Sequence, residues 1–184
     1  LAPAAPVHFL GPSYRLAPNG DIAAFARDVT QKGDSVAQTT IRLGKALYDA
    51  MTFDAKATTV DTPAATAFAQ RRGVCQDFTH IMIIALQSLG IPAGYVSGYL
   101  RTLPPPGKPR LEGVDAMHAW VRAWCGPAMG WIEYDPTNAT LISTDHIVVG
   151  YGRDYADVSP ISGHLRLAGA PVSKQTVDVA PVGE

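Results

Sequence analysis

The stretch RRGVCQDFTHIMIIALQSLGIP, residues 71–92, decides the fold, because it carries the longest strongly apolar run of the chain. Gly90 and Pro92 at its end are typical helix-stop residues, so we predict a helix from about Cys75 to Leu89. Beyond the first turn, the residues polar enough to form a wet edge are Thr79, His80, Gln87 and Ser88. A helix that is apolar on nearly every side is predicted to lie buried at the centre of its domain.

Three shorter helices are predicted before it, each with a capping residue at its start. The sequences are GDIAAFARDVTQKG, DSVAQTTIRLGKALYDAM and DTPAATAFAQRRG. The predicted N-caps are Asp21, Ser35 and Thr62, the last followed by Pro63 at the first helical position. The predicted ends are Gly33, about Tyr48 and Gly73.

Short β-type runs follow the central helix, separated by Pro- and Gly-rich connections. They are GYVSGYLRT, HAWVRAWC, GWIEYDPT and HIVVGYG, and KQTVDVAPV is a further candidate for an edge strand. Helices followed by strands, with short connections between the strands, predict an α+β domain in which the central helix packs on an antiparallel sheet.

Composition limits the classes of partner and the number of domains. The chain has 184 residues, of which 47% are hydrophobic, and a formal net charge of -1. This length and composition predict a single domain. We place its catalytic core at residues 19–165, a linker or the remnant of a preceding region at 1–18, and a C-terminal strand and tail at 166–184. Neither nucleic acid nor a membrane surface is an expected partner, since no broad basic field is present. Without a signal peptide pattern at its start, the chain is expected to be cytoplasmic.

Cys75 is the first candidate for chemistry. A thiol reacts as its thiolate, and the N-terminus of a helix favours the thiolate through unpaired N–H groups and the helix dipole. The alternatives are a small buried apolar residue, as free cysteines often are, or a single disulfide with Cys125.

His118 and Asp135 are candidates for the base and the group that orients it. His118 begins one predicted strand, and Asp135 ends the next, directly before Pro136. In an antiparallel pair the start of one strand lies beside the end of the following one, so the two residues are expected to be neighbours. The alternatives are a histidine satisfied by a backbone carbonyl and an ordinary turn aspartate.

Five ordered segments give this chain its family resemblance: GVCQDF, LGIPAGYVSGYL, DAMHAW, GWIEYDPTN and HIVVGYGRDYADVSPISG. Together they resemble the transglutaminase-like superfamily of papain-like cysteine enzymes. The members of that superfamily that are similar to this chain are bacterial. The resemblance implies a papain-like, transglutaminase-core fold. It also implies that Cys75 is the nucleophile, His118 the general base and acid, and Asp135 the orienting carboxylate.

The implied reaction is thiol-dependent attack on a carboxamide through a thioester, with no cofactor. The expected partners are a peptide or protein substrate with an accessible carboxamide and, for transamidation, an amine acceptor. Hydrolysis by a cysteine protease or amidase is the preferred interpretation, because water is always present and the tryptophan that transglutaminases carry upstream of the cysteine is absent. The alternatives are protein-glutamine transamidation and a non-catalytic binding or scaffold relative.

The oxyanion donors are only partly predicted. The backbone N–H of Cys75 is the expected first donor. The second is open, because Phe53 stands where related bacterial sequences tend to have tyrosine, and Gln70 and Gln76 are the remaining candidates.

Other polar residues are expected to have structural roles. Asp77 is expected to satisfy amides in the first turn of the central helix. The segment with Arg153, Asp154 and Asp157 is expected to form an ion-paired turn. A metal site is not expected, because the possible ligands lack metal-site spacing; these ligands are Cys75, His80, His118 and His146.

Overall fold

A five-stranded antiparallel sheet packs against one buried helix, and three further helices complete the core. The computed structural model describes residues 4–102, 116–161, 163 and 176–180. The helices are α1 (Gly20–Val29), α2 (Val36–Ala50), α3 (Ala64–Gln70) and α4 (Cys75–Ser88). The strands are β1 (Thr52–Phe53), β2 (Arg72–Gly73), β3 (Ala93–Leu100), β4 (Ala116–Trp124), β5 (Trp131–Asp135), β6 (Thr140–Leu141) and β7 (His146–Gly152). This architecture confirms the predicted α+β class.

The large sheet has the strand order β6-β5-β4-β3-β7, and all neighbouring strands in it are antiparallel. β3 and β4 lie at its centre, with Tyr95 opposite Val121. Both side chains are buried in the core together with those of α4. Every residue from Gln76 to Leu86 of that helix is buried, which confirms the predicted central helix.

The prediction of a solvent-exposed edge on α4 is wrong at two positions. Thr79 and His80 are 0% and 2% exposed. The Thr79 hydroxyl donates to the Cys75 carbonyl at 2.7 Å, and His80 Nε2 accepts from the Tyr155 amide at 3.2 Å. Because both polar groups have partners inside the protein, these residues do not need water.

The helix boundaries agree with the sequence where the capping signal is local. Ser35 caps α2 as predicted, and Gln38 completes a capping box with it. In contrast, Asn19 rather than Asp21 caps α1, since its side chain accepts from the Ile22 amide at 2.9 Å. α1 also ends at Val29, before the predicted Gly33.

The third helix differs from its prediction at both ends. Its N-cap is Pro63 rather than Thr62, whose hydroxyl instead accepts from the Thr59 amide. It ends at Gln70, because Arg71 adopts a left-handed conformation with φ 55°. Arg72 and Gly73 form β2, which pairs in parallel with β1, so these residues cannot continue α3.

Parts of the predicted linker pack onto the core. Pro6–Phe9 form a short 3-10 helix, and Phe9 and Leu16 are buried. The division into linker, catalytic core and tail stays a prediction. The predicted last strand, 174–182, falls largely outside the described residues, and Val177 forms a single β-bridge within them. Within the described ranges, no helix combines the length and hydrophobicity needed to cross a bilayer.

Candidate active site

The antiparallel pairing of β4 and β5 brings His118 and Asp135 together. Val121 lies opposite Tyr134, so the next residue of β5 is directed toward the start of β4. His118 Nε2 lies 2.7 Å from Asp135 Oδ2. The expected adjacency of these two residues is therefore confirmed.

The Asp135 carboxylate is held by groups from three segments of the chain. Its Oδ2 contacts His118, accepts from Asn138 Nδ2 at 2.7 Å, and lies 3.2 Å from His146 Nε2. Its Oδ1 accepts from the backbone amides of Thr137 and Asn138 at 2.9 and 3.2 Å. Asp135 is completely buried, so these bonds replace the water that a carboxylate otherwise needs.

The hydrogen bonds to Asp135 favour the negatively charged form of its side chain. Burial alone raises its pKa, but hydrogen bonds from His118 and His146, the positive charge of His118 and the Asn138 amide lower the pKa well below its usual range. Asp135 is therefore a carboxylate at neutral pH.

His118 has the opposite shift. Burial alone lowers its pKa, but hydrogen bonds with Asp135 and Cys75, and the charges of both, raise the pKa to about 9. With Nε2 committed to Asp135, Nδ1 is the ring nitrogen available to the thiol. The electrostatics therefore favour an imidazolium at neutral pH, hydrogen-bonded to the Asp135 carboxylate.

Cys75 is the first residue of α4 and is half-buried. The Asp77 and Phe78 amides already donate to the Val74 carbonyl, at 2.9 and 3.2 Å. Among the described residues, the Cys75 amide has no acceptor, which is the condition for an oxyanion donor at a helix start. Cys75 and Cys125 are both free, so the alternative of a disulfide between them is wrong.

The candidates for the second oxyanion donor differ in what they already bind. The side-chain amide of Gln76 donates to the Val60 carbonyl at 3.0 Å, whereas Gln70 is exposed at the end of α3. Phe53 lies beside Gly73 in the parallel pair and is 55% exposed. Position 53 is thus adjacent to the segment that leads into Cys75, but its side chain carries no hydroxyl.

Asp77 has the structural role that the sequence predicts for it. Its Oδ2 accepts from the Val74 amide at 2.8 Å and from the Thr58 hydroxyl at 2.6 Å. Burial raises its pKa, and the two hydrogen bonds oppose that rise. The carboxyl group thereby ties the start of α4 to the preceding loop, which orients Cys75.

The ion-paired turn is also confirmed. Arg153 Nε donates to Asp157 Oδ2 at 2.9 Å, and the Arg153 amide donates to the same oxygen. Asp154 is buried and accepts from the amides of Arg15 and Ala156 at 2.8 and 2.7 Å. This turn joins the N-terminal segment to the end of the sheet.

His146 is the residue of the site that sequence reasoning missed, because it was considered only as a metal ligand. It begins β7, which β3 and β4 separate from β5. Its ring reaches Asp135 across the end of the sheet, beside Trp120 at a ring-centre distance of 5.3 Å. The sequence does offer one signal for a role in the site, because His146, like His118, stands at the start of a predicted strand.

His118, Asp135 and His146 place three ligand-type atoms within 4.8 Å of one another. Two histidines and a carboxylate are a known zinc-binding set. However, the Ser143 amide donates to His146 Nδ1 at 3.3 Å, which places the proton of a neutral ring on Nε2, the atom a metal would need. The arrangement therefore favours hydrogen bonding over metal ligation. His80, another possible ligand, accepts from the Tyr155 amide instead, and burial lowers its pKa to about 4.

Comparison with known proteins agrees with this fold and identifies the family. The transglutaminase-like superfamily matches residues 23–136, and the chain belongs to that family. It is 43% identical over 143 residues to uncharacterised proteins of Mycobacterium tuberculosis (Rv2569c) and Mycobacterium bovis (Mb2599c), covering 76% of this chain and 46% of theirs.

Two of the solved structures that are similar in fold show the extent of the match. One is a candidate cysteine protease of Cytophaga hutchinsonii, with a TM-score of 0.68 and 28% identity, covering 83% of this chain and 48% of that one. The other is the periplasmic domain of TgpA from Pseudomonas aeruginosa, with a TM-score of 0.55 and 25% identity, covering 76% and 51%. The chain thus spans about half the length of these relatives.

Proposed function

We propose that this protein is a thiol-dependent amide-bond enzyme that acts through Cys75, His118 and Asp135 and hydrolyses peptide or amide bonds. The observation that carries the proposal is the hydrogen bond between the His118 ring and the buried Asp135 carboxylate, and the influence of the Cys75 thiol on the pKa of His118 supports it. A nucleophile, a base and an orienting group in this order form the arrangement that acyl-transfer enzymes use.

In the proposed first step, the Cys75 thiolate attacks the carbonyl carbon of a carboxamide. A C–S bond forms and the carbonyl oxygen becomes an oxyanion, which the Cys75 amide stabilises at the start of α4. The C–N bond then breaks, and His118 gives its proton to the departing amine. A thioester and a neutral imidazole remain.

In the second step, His118 accepts a proton from water, and the resulting hydroxide attacks the thioester carbonyl. The C–S bond breaks, the carboxylic acid leaves, and the thiolate and imidazolium are restored. Asp135 stabilises the imidazolium and keeps Nδ1 directed at the sulfur. A primary amine in place of water gives transamidation, which is the second candidate function, because the family includes transglutaminases by name.

The test is an incubation with casein and a fluorescent primary amine, in which released peptides, ammonia and incorporated label are measured separately. We expect peptides or ammonia without label, and no product from Cys75→Ser. Cys125→Ser is the matched control and should retain activity within about twofold. Label incorporation would replace hydrolysis by transamidation, and activity that survives Cys75→Ser would refute the thiol mechanism.

A further inference from the structure

The Asp135 carboxylate lies between two imidazole rings rather than one. Its Oδ2 is 2.7 Å from His118 Nε2 and 3.2 Å from His146 Nε2. The side chain of His146 is 4% exposed, so it is as protected from water as the rest of the site. The proposed triad does not use this second ring.

The hydrogen bonds of His146 fix its tautomer. The Ser143 amide donates to Nδ1 at 3.3 Å, so Nδ1 is the acceptor and the proton of the neutral ring is on Nε2. Nε2–H then donates to Asp135. Asp135 Oδ2 thus accepts from three side chains, those of His118, Asn138 and His146, and together these bonds fix the orientation of the carboxylate.

The position of His146 is itself held by the surrounding fold. Its amide donates to the Ser143 carbonyl at 3.1 Å, which closes a turn before β7. Trp120 meets its ring edge-on, at 80°, and the indole Nε1 donates to Glu133 at 2.7 Å. Gly98 leaves room for that indole, because an added Cβ would come within 2.5 Å of Trp120 Cη2.

We propose that His146 is a positioning residue that holds Asp135 Oδ2 in line with His118 Nε2. The inference rests on the proposed function of the triad and adds a fourth member that acts through Asp135. Partners that orient a functional carboxylate or imidazole in this way are typically worth 10- to 100-fold. Loss of the His146 donor leaves Asp135 Oδ2 held by His118 and Asn138 alone, so the carboxylate can shift and His118 loses its alignment with Cys75.

The test compares His146→Gln, whose amide can donate from the place of Nε2, with His146→Leu, which has a similar size and no donor. Matched controls are His8→Gln and His8→Leu, at an exposed histidine that is not among the hydrogen-bond partners of the site. All variants are made in the full chain with Cys125→Ser, so that Cys75 is the single thiol. The readout is the rate of iodoacetamide alkylation from pH 4 to pH 10, together with the thermal unfolding midpoint.

We expect His146→Leu to slow alkylation at pH 6 by about 10-fold or more and to move the midpoint of the pH profile upward. His146→Gln should stay within about threefold of the parent, even where both variants lose similar thermal stability. The inference is overturned if His146→Leu keeps the parent profile, or if Gln and Leu slow alkylation equally in proportion to their loss of stability.

This experiment separates the inference from the proposed function. If Cys75 in the parent protein reacts no faster at pH 6 than an unperturbed thiol, the triad itself fails. If the parent reacts fast and His146→Leu reacts equally fast, the triad stands and the role of His146 is refuted.

Discussion

His118 Nε2 and Asp135 Oδ2 lie 2.7 Å apart although 17 residues separate them in the chain. The short connection between β4 and β5 makes this contact possible, since antiparallel strands return the chain to its starting level. The pair places a buried carboxylate beside the His118 imidazole. Three predictions depend on this pair, and a fourth tests the packing of the Tyr134 ring, the residue before Asp135.

Cys75 should react with iodoacetamide faster than Cys125 at neutral and mildly acidic pH. The reason is that His118, with a pKa of about 9, supplies a positive charge beside Cys75, whereas burial raises the pKa of the Cys125 thiol. Peptide mapping by mass spectrometry after a short labelling pulse gives the two rates. His118→Ala should remove the preference, and equal slow labelling of both thiols in the wild type would favour a binding or scaffold protein.

Asp135→Asn should lower kcat by a factor on the order of 10³–10⁴ with a small change in KM. The amide keeps the shape of the side chain but loses the charge that stabilises the His118 imidazolium. Steady-state kinetics on whichever amide substrate the wild type cleaves gives both constants. Asn138→Ala is the matched comparison, since it removes a single donor to Asp135 Oδ2 and should cost far less than the Asp135 change. Equal losses in the two variants would contradict an electrostatic role for the carboxylate.

Stability should fall as the pH rises from about 6.5 to about 9, because of His118. Its pKa is 6.5 in the reference state and about 9 in the fold, so its stabilising interactions are fully present below pH 6.5 and are lost as pH rises through 9. Urea unfolding midpoints at pH 6 and pH 9.5 measure the effect. His118→Gln should show a smaller decrease between the two pH values than the wild type, and an identical decrease would assign the pH dependence to other groups.

Gly44→Ala should destabilise the protein by about 1–3 kcal/mol through overpacking. Gly44 lies in α2 against the Tyr134 ring, and an added Cβ would come within 2.1 Å of Tyr134 Cε1. Tyr134 is 2% exposed and part of the hydrophobic core, so a shift of its ring disturbs the packing around it. Gly20→Ala, at the start of α1 with no atom within 4 Å of the added Cβ, should be neutral or stabilise by up to about 1 kcal/mol. Chemical denaturation of both variants checks the contrast.

The features that the sequence predicted correctly depend on neighbouring residues. The apolar run of α4 and its Gly90 stop identify the central helix, and the Ser35 capping box identifies the start of α2. Strand β7 has the predicted bounds, His146–Gly152, because β-type residues and flanking turns mark both of its ends.

The features that it missed depend on contacts between distant segments. α3 ends early because β2 pairs with β1, and no local signal at Arg71 reports that pairing. His80 is buried because Tyr155, 75 residues away, supplies its hydrogen bond. His146 escaped functional interpretation because only the folded sheet brings β7 to Asp135.

The amino-acid sequence alone determined the order of the elements, the buried central helix with Cys75 at its start, and the residue types of the site. Periodicity, caps and turns act over a few residues, so they can be read directly from the chain. The tertiary structure decided the charge of His118 and the number of groups that hold Asp135. Those properties arise from burial and from hydrogen bonds between segments, and such interactions exist only after the chain has folded.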